Sequence, residues 1–209
     1  TVSLRIGDFS ISVADTLQMP IWRDLITENI DGEELALTQT GDGFSYGALQ
    51  WQRWQELDGI AAEGKERPLS VERYLWRVVA DERGEVFEPV TSEAVLHPGD
   101  RVRVQLVVRT DRDMEYVWLK DLHSAAFDAP LLSSGFRYED CPHYRAVRDE
   151  AVSYFFEELP KGKHTFEYTM FVTQSGTFSD GYAEVKSIYN PEFSGHSAAK
   201  GKVKIEKRQ

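Results

Sequence analysis

The chain is 209 residues long, enough for one large or two modest domains that each bury a core, and its 41% hydrophobic and 28% charged residues are ordinary for a globular protein. Its 24 basic and 35 acidic residues leave a formal charge of -11, which argues against a phosphate-binding surface. No apolar run approaches the length of a bilayer span, so nucleic-acid binding and membrane insertion are both set aside.

Thr1 opens directly into strand-like sequence, with neither an initiator Met nor a signal peptide, which reads as a piece cut from a longer protein. "VSLRIG" and "FSISV" are two short predicted strands around Gly7 and Asp8. "ELALTQTGDGFSYGALQWQRW" reads as strand, Gly-Asp-Gly turn and strand, the second run dense in aromatics. Residues 56–69 are polar, carry Gly59, Gly64 and Pro68, and sustain no pattern. They place a boundary between a small strand-rich segment, 1–66, and a second domain, 67–209. Trp51 and Trp54, beside that boundary, are candidates for inter-domain packing.

After Pro68 the alternation becomes regular. "SVERYLWRVVA" is a strand, and Gly84 turns the chain into "EVFEPV". The Pro-Gly turn "HPGD" precedes "RVRVQLVVRT", in which Val102, Val104, Leu106 and Val108 face one way and Arg101, Arg103 and Gln105 the other. "MEYVWLKDL" follows the charged turn "DRD", and Trp118 within it reads as core. "AVSYFFEEL", the tight "PKGK" and "HTFEYTMFV" read as a β-hairpin. "GTFSDGYAEVKSIY" and "KVKIE" complete the set. Short strands with regular turn signals predict an all-β fold, an antiparallel β-sandwich.

Chemistry is scarce. No serine-nucleophile elbow, zinc-protease motif or phosphate loop occurs, and the five histidines are scattered. Cys141, the only cysteine, stands beside Pro142 and His143, reads as a half-buried loop residue and permits no intramolecular disulfide. Asp111, Asp113 and Glu115 have the spacing that opens a calcium loop, but Tyr116 stands where the sharp turn needs Gly, so they read as a solvated turn. Lys202 and Lys204 alternate with Val203 and Ile205, a strand with one wet face rather than a basic stripe. No metal site, cofactor or catalytic residue is assigned.

One resemblance covers nearly the whole chain. "RPLSVERYLWRV", the "PGD" turn, "YVWLKD", "FFEELPKG" with "FEY", "GTF" and the closing "YNPEFSGHS" occur in the order and spacing seen in the C-terminal region of bacterial alpha-2-macroglobulins. "YGALQWQRWQELDGI" resembles the stretch after the thioester domain in such proteins from Bacteroidetes. The resemblance implies a macroglobulin-like or fibronectin-like sandwich that does no catalysis. It implies a module of a large envelope or periplasmic protease trap, contacting neighbouring domains of the parent chain and target proteases only indirectly. In the family this domain packs on the thioester domain and shields its reactive bond. The family's closing motif usually reads Met-Tyr-Asp-Pro-Glu, and here those positions are Ile188, Tyr189, Asn190, Pro191 and Glu192. These five are therefore the candidate docking residues, with Ile188 keeping an apolar plug without the flexible thioether. Cys141, in "EDCPH", does not match the thioester motif. Two other readings stay open: a free-standing sandwich that binds carbohydrate or a partner protein through its aromatics, and a hydrolase assembled from distant residues.

Overall fold

Inward and outward side chains alternate along the strands after Leu69 as the period-two pattern predicts, and that alternation builds two facing sheets. A computed structural model of the chain describes residues 1–6, 9–13, 34–42, 44, 54, 56–63, 67–82, 84–199 and 201–208. The chain divides into two units, Thr1–Arg53 and Trp54–Gln209.

In the first unit, β1 (Val2–Ile6) pairs antiparallel with β2 (Phe9–Val13) and with β3 (Leu35–Gln39), giving the order β2-β1-β3. The Thr1 ammonium donates to the Thr40 carbonyl and the Thr40 N–H to the Thr1 carbonyl, both at 2.9 Å, closing the open end of the β1–β3 ladder. The aromatic run expected after the Gly-Asp-Gly turn, Trp51 included, lies outside the described residues.

The second unit begins earlier than the expected boundary after residue 66. Residues 60–63 lie along the sandwich: Glu63 and His196 exchange backbone hydrogen bonds of 2.9 and 3.0 Å, and Ala199 donates to the Ile60 carbonyl at 3.0 Å. This polar, patternless stretch satisfies its backbone groups on a sheet edge, a use that composition does not reveal.

The sandwich strands are β4 (Leu69–Asp81), β5 (Gly84–Pro89), β6 (Val95–Leu96), β7 (Arg101–Thr110), β8 (Met114–His123) and β9 (Phe127–Asp128). They continue with β10 (Gly135–Tyr138), β11 (Pro142–Val147), β12 (Ala151–Leu159) and β13 (Gly162–Val172). The last are β14 (Gly176–Ser179), β15 (Gly181–Ser187), β16 (Ser194–His196) and β17 (Lys202–Ile205). One sheet has six strands in the order β10-β11-β12-β8-β15-β16, and the facing sheet has five, β5-β4-β7-β13-β9. A small third sheet, β14-β17-β6, contains the one parallel strand pairing among the described residues, β17 with β6.

Two expectations are corrected here. The "AVSYFFEEL" and "HTFEYTMFV" strands do not form a hairpin. Strand β12 pairs with β8 and β11, while β13 pairs with β7 and β9, so Pro160 and Lys161 carry the chain from one sheet to the other. A tight turn joins neighbours in space, and here the neighbour is across the sandwich. Asp113, in the equivalent crossing between β7 and β8, accepts the Lys161 N–H at 2.7 Å and ties the two crossings together. Trp118 is not core either: Val117 and Leu119 take the inward positions of β8, which turns Trp118 to the outer face.

The core lies between the sheets, with Val102, Val104, Leu106, Val108, Phe166 and Met170 from one side meeting Val117, Leu119, Tyr154, Phe156 and Val185 from the other. Each fully buried aliphatic of this kind contributes about 1.5–3 kcal/mol. Within this apolar layer sits a charged cluster. Arg73 of β4 donates from Nε to Asp121 of β8 at 2.5 Å, the Tyr168 hydroxyl of β13 donates to the same carboxylate, and Asp180 approaches Arg73 at 4.0 Å. Burial alone would lower the Arg73 pKa, but the facing Asp121, Tyr168 and Asp180 outweigh it and the pKa is raised. Two glycines are required by geometry. Gly99, at φ 90°, fills the third position of the "HPGD" turn, which is closed by Asp100 N–H donating to the His97 carbonyl at 3.0 Å. Gly181 opens β15 at φ 81°, where a Cβ would stand 1.9 Å from the Leu122 carbonyl oxygen.

Candidate functional site

The turn between β15 and β16 carries the five candidate docking residues. Asn190, Pro191, Glu192 and Phe193 form a β-turn in which the Phe193 N–H donates to the Asn190 carbonyl at 2.9 Å. Asn at the first position and Pro at the second are the residues such a turn favours. The Ser187 N–H donates to the Phe193 carbonyl at 2.9 Å, closing the base. Phe193 is half-buried against the core with the Arg112 guanidinium 5.5 Å from its ring centre, so the turn is anchored from inside.

Ile188 and Tyr189 point the other way, 47% and 73% exposed. They belong neither to the core nor to solvent-facing polar surface. The Ile188 N–H donates to the Tyr116 carbonyl at 2.9 Å, and the Tyr189 ring meets the Tyr116 ring edge-on at 5.1 Å. Tyr116 itself has φ 52°, a conformation that costs a bulky residue of order 1–3 kcal/mol. The same kink breaks the alternation of β8, so Glu115 and Tyr116 both face outward. Backbone strain at Tyr116 thus accompanies an apolar tip held in place and exposed.

Beside the tip lies a shallow groove of about 430 Å³, lined by Trp118, Phe155, Lys186, Ser187, Ile188 and Pro191. Trp118 and Phe155 stand 6.2 Å apart with rings parallel to within 7°. Lys186 brings its ammonium to 4.5 Å from the Trp118 ring centre and Lys120 to 5.9 Å. The structure therefore joins Ile188 and Pro191 to three residues that sequence reasoning did not connect with them. Their signal was present, since Trp118, Phe155 and Lys186 occupy outward positions of period-two strands. What was missing was the strand order that sets them side by side. Trp54 is fully exposed and is not among the residues lining the groove, and Trp51 lies outside the described residues.

The residues with chemical potential are used structurally. Burial and then the charge of Asp140 push the Cys141 thiol up to about 11, so it is protonated at neutral pH. His143 is buried, donates from Nδ1–H to the Cys141 carbonyl (2.9 Å), and packs among Tyr154, Phe156 and Phe166. The other histidines have separate local partners: Asp100 for His97, the Ser124 carbonyl for His123, Asp140 for His164 and Glu63 for His196. Asp111 is paired with Arg112 at 2.8 Å, and that hydrogen bond holds its carboxyl below the usual range. Among the described residues, no group of three or more His, Cys, Asp or Glu is placed to hold a metal ion.

A family model described as the bacterial alpha-2-macroglobulin MG10 domain matches residues 69–192. The chain belongs to the bacterial alpha-2-macroglobulin MG10 domain family. The MG10 match ends at Glu192, the last of the five candidate docking residues. Solved macroglobulins share the fold. A mutant Salmonella alpha-2-macroglobulin superposes with a TM-score of 0.55 at 18% identity, covering 70% of this chain and 10% of that one. Escherichia coli alpha-2-macroglobulin activated by porcine elastase gives 0.54 at 16% identity, covering 70% and 14%. Among curated proteins, "Circularly permutated Ras protein 2" of Dictyostelium discoideum is 27% identical over 112 residues, 53% of this chain and 3% of that protein. The chain thus spans only a small part of each relative's length.

Proposed function

We propose that this chain is a non-catalytic structural module of an alpha-2-macroglobulin-like protease trap at the bacterial cell envelope or in the periplasm. It docks on a neighbouring domain of the thioester type through Ile188, Tyr189, Asn190, Pro191 and Glu192, and shields it. Trp54, with Trp51 near it in sequence, forms a second packing contact with neighbouring domains. The observation that carries the reading is the tip itself: an isoleucine and a tyrosine, 47% and 73% exposed, on a turn fixed by hydrogen bonds and an anchored phenylalanine. Apolar side chains held out rigidly lose little entropy on docking, which is the arrangement a contact surface uses. Target proteases meet the whole trap and not this module.

Amide hydrogen exchange tests the docking. In the longer protein that carries this sequence, the amides of Tyr189, Asn190 and Glu192 are expected to exchange more slowly than in the chain alone. Equal rates in both would remove the docking role.

A further inference from the structure

Strand register sets four aromatic side chains in one line across the outer face of the six-stranded sheet. Phe136 stands opposite Tyr144, Tyr144 opposite Phe155, Phe155 opposite Trp118, and Trp118 opposite Lys186. All face outward, Phe136 at 71% exposure and Trp118 half-buried. Three strand spacings of about 4.8 Å make the line of four rings about 14 Å long. Phe136 and Tyr144 meet at 5.2 Å and Trp118 and Phe155 at 6.2 Å. The outer face of the five-stranded sheet is different: Arg101 pairs with Glu85 at 2.8 Å, Arg103 with Glu167 at 3.7 Å, and Gln105 donates to Glu167 at 2.6 Å. That face carries aromatics too, Tyr74, Trp76 and Phe87, but interleaves them with charge, Arg103 lying opposite Trp76 and 4.3 Å over the Phe87 ring, whereas the six-stranded face carries an unbroken register of aromatic positions.

Three observations define the occupant. Phe136 and Tyr144 are turned 76° from each other while Trp118 and Phe155 are parallel within 7°, so the line is not the coplanar platform on which a sugar chain stacks. Rings at mixed angles fit interdigitating side chains of a protein face. At the Trp118 end, Lys120 and Lys186 gather two ammonium groups in a chain of formal charge -11, with Glu184 3.8 Å from Lys186. That end suits a partner carboxylate. The line also continues into the tip, because Trp118 and Phe155 line the same groove as Ile188 and Pro191.

We propose that the line of Phe136, Tyr144, Phe155 and Trp118 is the broad half of a single docking surface, and that its occupant is a protein face of the same longer chain, apolar at its centre and bearing a carboxylate opposite Lys120 and Lys186. This rests on the docking role of the 188–192 turn and extends it across four strands.

Hydroxyl-radical footprinting of the chain alone and of the longer protein carrying it separates the two ideas. Oxidation of Phe136, Tyr144, Phe155 and Tyr189 is expected to slow together in the longer protein, by about tenfold for side chains in a water-excluded contact. Slowing at Tyr189 with Phe136 and Tyr144 oxidised at the isolated rate overturns the extended surface and leaves the docking tip standing. No slowing at any of them overturns both. Slowing in the chain alone as its concentration rises assigns the face to a second copy and also overturns the proposal. Phe136→Ser with Tyr144→Ser in the longer protein should return Phe155 oxidation toward the isolated rate. Both positions are outside the core, and unchanged oxidation of the buried Met170 reports that the fold is intact.

Discussion

Replacing Asp121 by Ala strikes the charged cluster between the sheets. Asp121 has no exposure, accepts Nε of Arg73 at 2.5 Å and also accepts the Tyr168 hydroxyl. The substitution leaves the buried guanidinium with Asp180 at 4.0 Å and removes the acceptor of the Tyr168 hydroxyl. Removing one partner of a buried ion pair costs about 3–5 kcal/mol, because the other charge stays desolvated. The orphaned hydroxyl lies within that range rather than adding to it, since both groups relax around the same gap. Asp121→Ala should therefore destabilise the sandwich by about 4 kcal/mol, about a thousandfold in the opening equilibrium. Amide exchange of Val104, Leu106 and Val108 in the core strand β7 reads this opening without interference from the first unit. Arg73→Met combined with Asp121→Leu, which removes both charges, should recover most of the loss. A cost below about 1 kcal/mol for Asp121→Ala, or a double variant no better than the single one, would refute the ion-pair reasoning.

Cys141 should be inert to a disulfide reagent at pH 8 in the folded chain and reactive in urea, as its buried thiol titrates near 11. Because its folded pKa is raised, its contribution to stability is whole below about pH 9 and is lost as pH rises through about 11, and Cys141→Ala should flatten that loss. Thermal melts across this range measure it. Gly181→Ala must move a Cβ off the Leu122 carbonyl as well as bear φ 81°, and is expected to cost about 2–3 kcal/mol or more in a urea titration. Tyr189→Ala in the chain alone should change stability by no more than about 0.5 kcal/mol, as fits a side chain outside the core.

Much of this fold could be read in the residues before any coordinates. The alternation of Val102, Val104, Leu106 and Val108 against Arg101, Arg103 and Gln105 is the buried and outward face of β7 as it stands. The Pro-Gly turn and the late bend at Pro191 are also where local turn chemistry puts them. What could not be read was which strand lies beside which. The short link of Pro160 and Lys161 carries the same turn residues whether the chain folds back into one sheet or crosses to the other, and it crosses. The side of Trp118 was misjudged for a related reason. An aromatic in an apolar run looks like core until Val117 and Leu119 claim the inward positions. The 188–192 turn could be singled out as a docking candidate only through the resemblance, whereas the aromatic line required the register of four strands. Arg73 shows a signal present but unread: an arginine between Val71 and Leu75 on the inward face has to find a buried acid, and Asp121 is that acid.

If the proposed docking role holds, Tyr189 faces another domain of the longer protein. A benzophenone amino acid placed at position 189 of the longer protein and activated by light tests it most directly. A single dominant intramolecular crosslink is expected, mapped by mass spectrometry to residues outside this sequence. Crosslinks confined to Tyr116 and its neighbours within the sandwich, or none above the level seen in the chain alone, would contradict it.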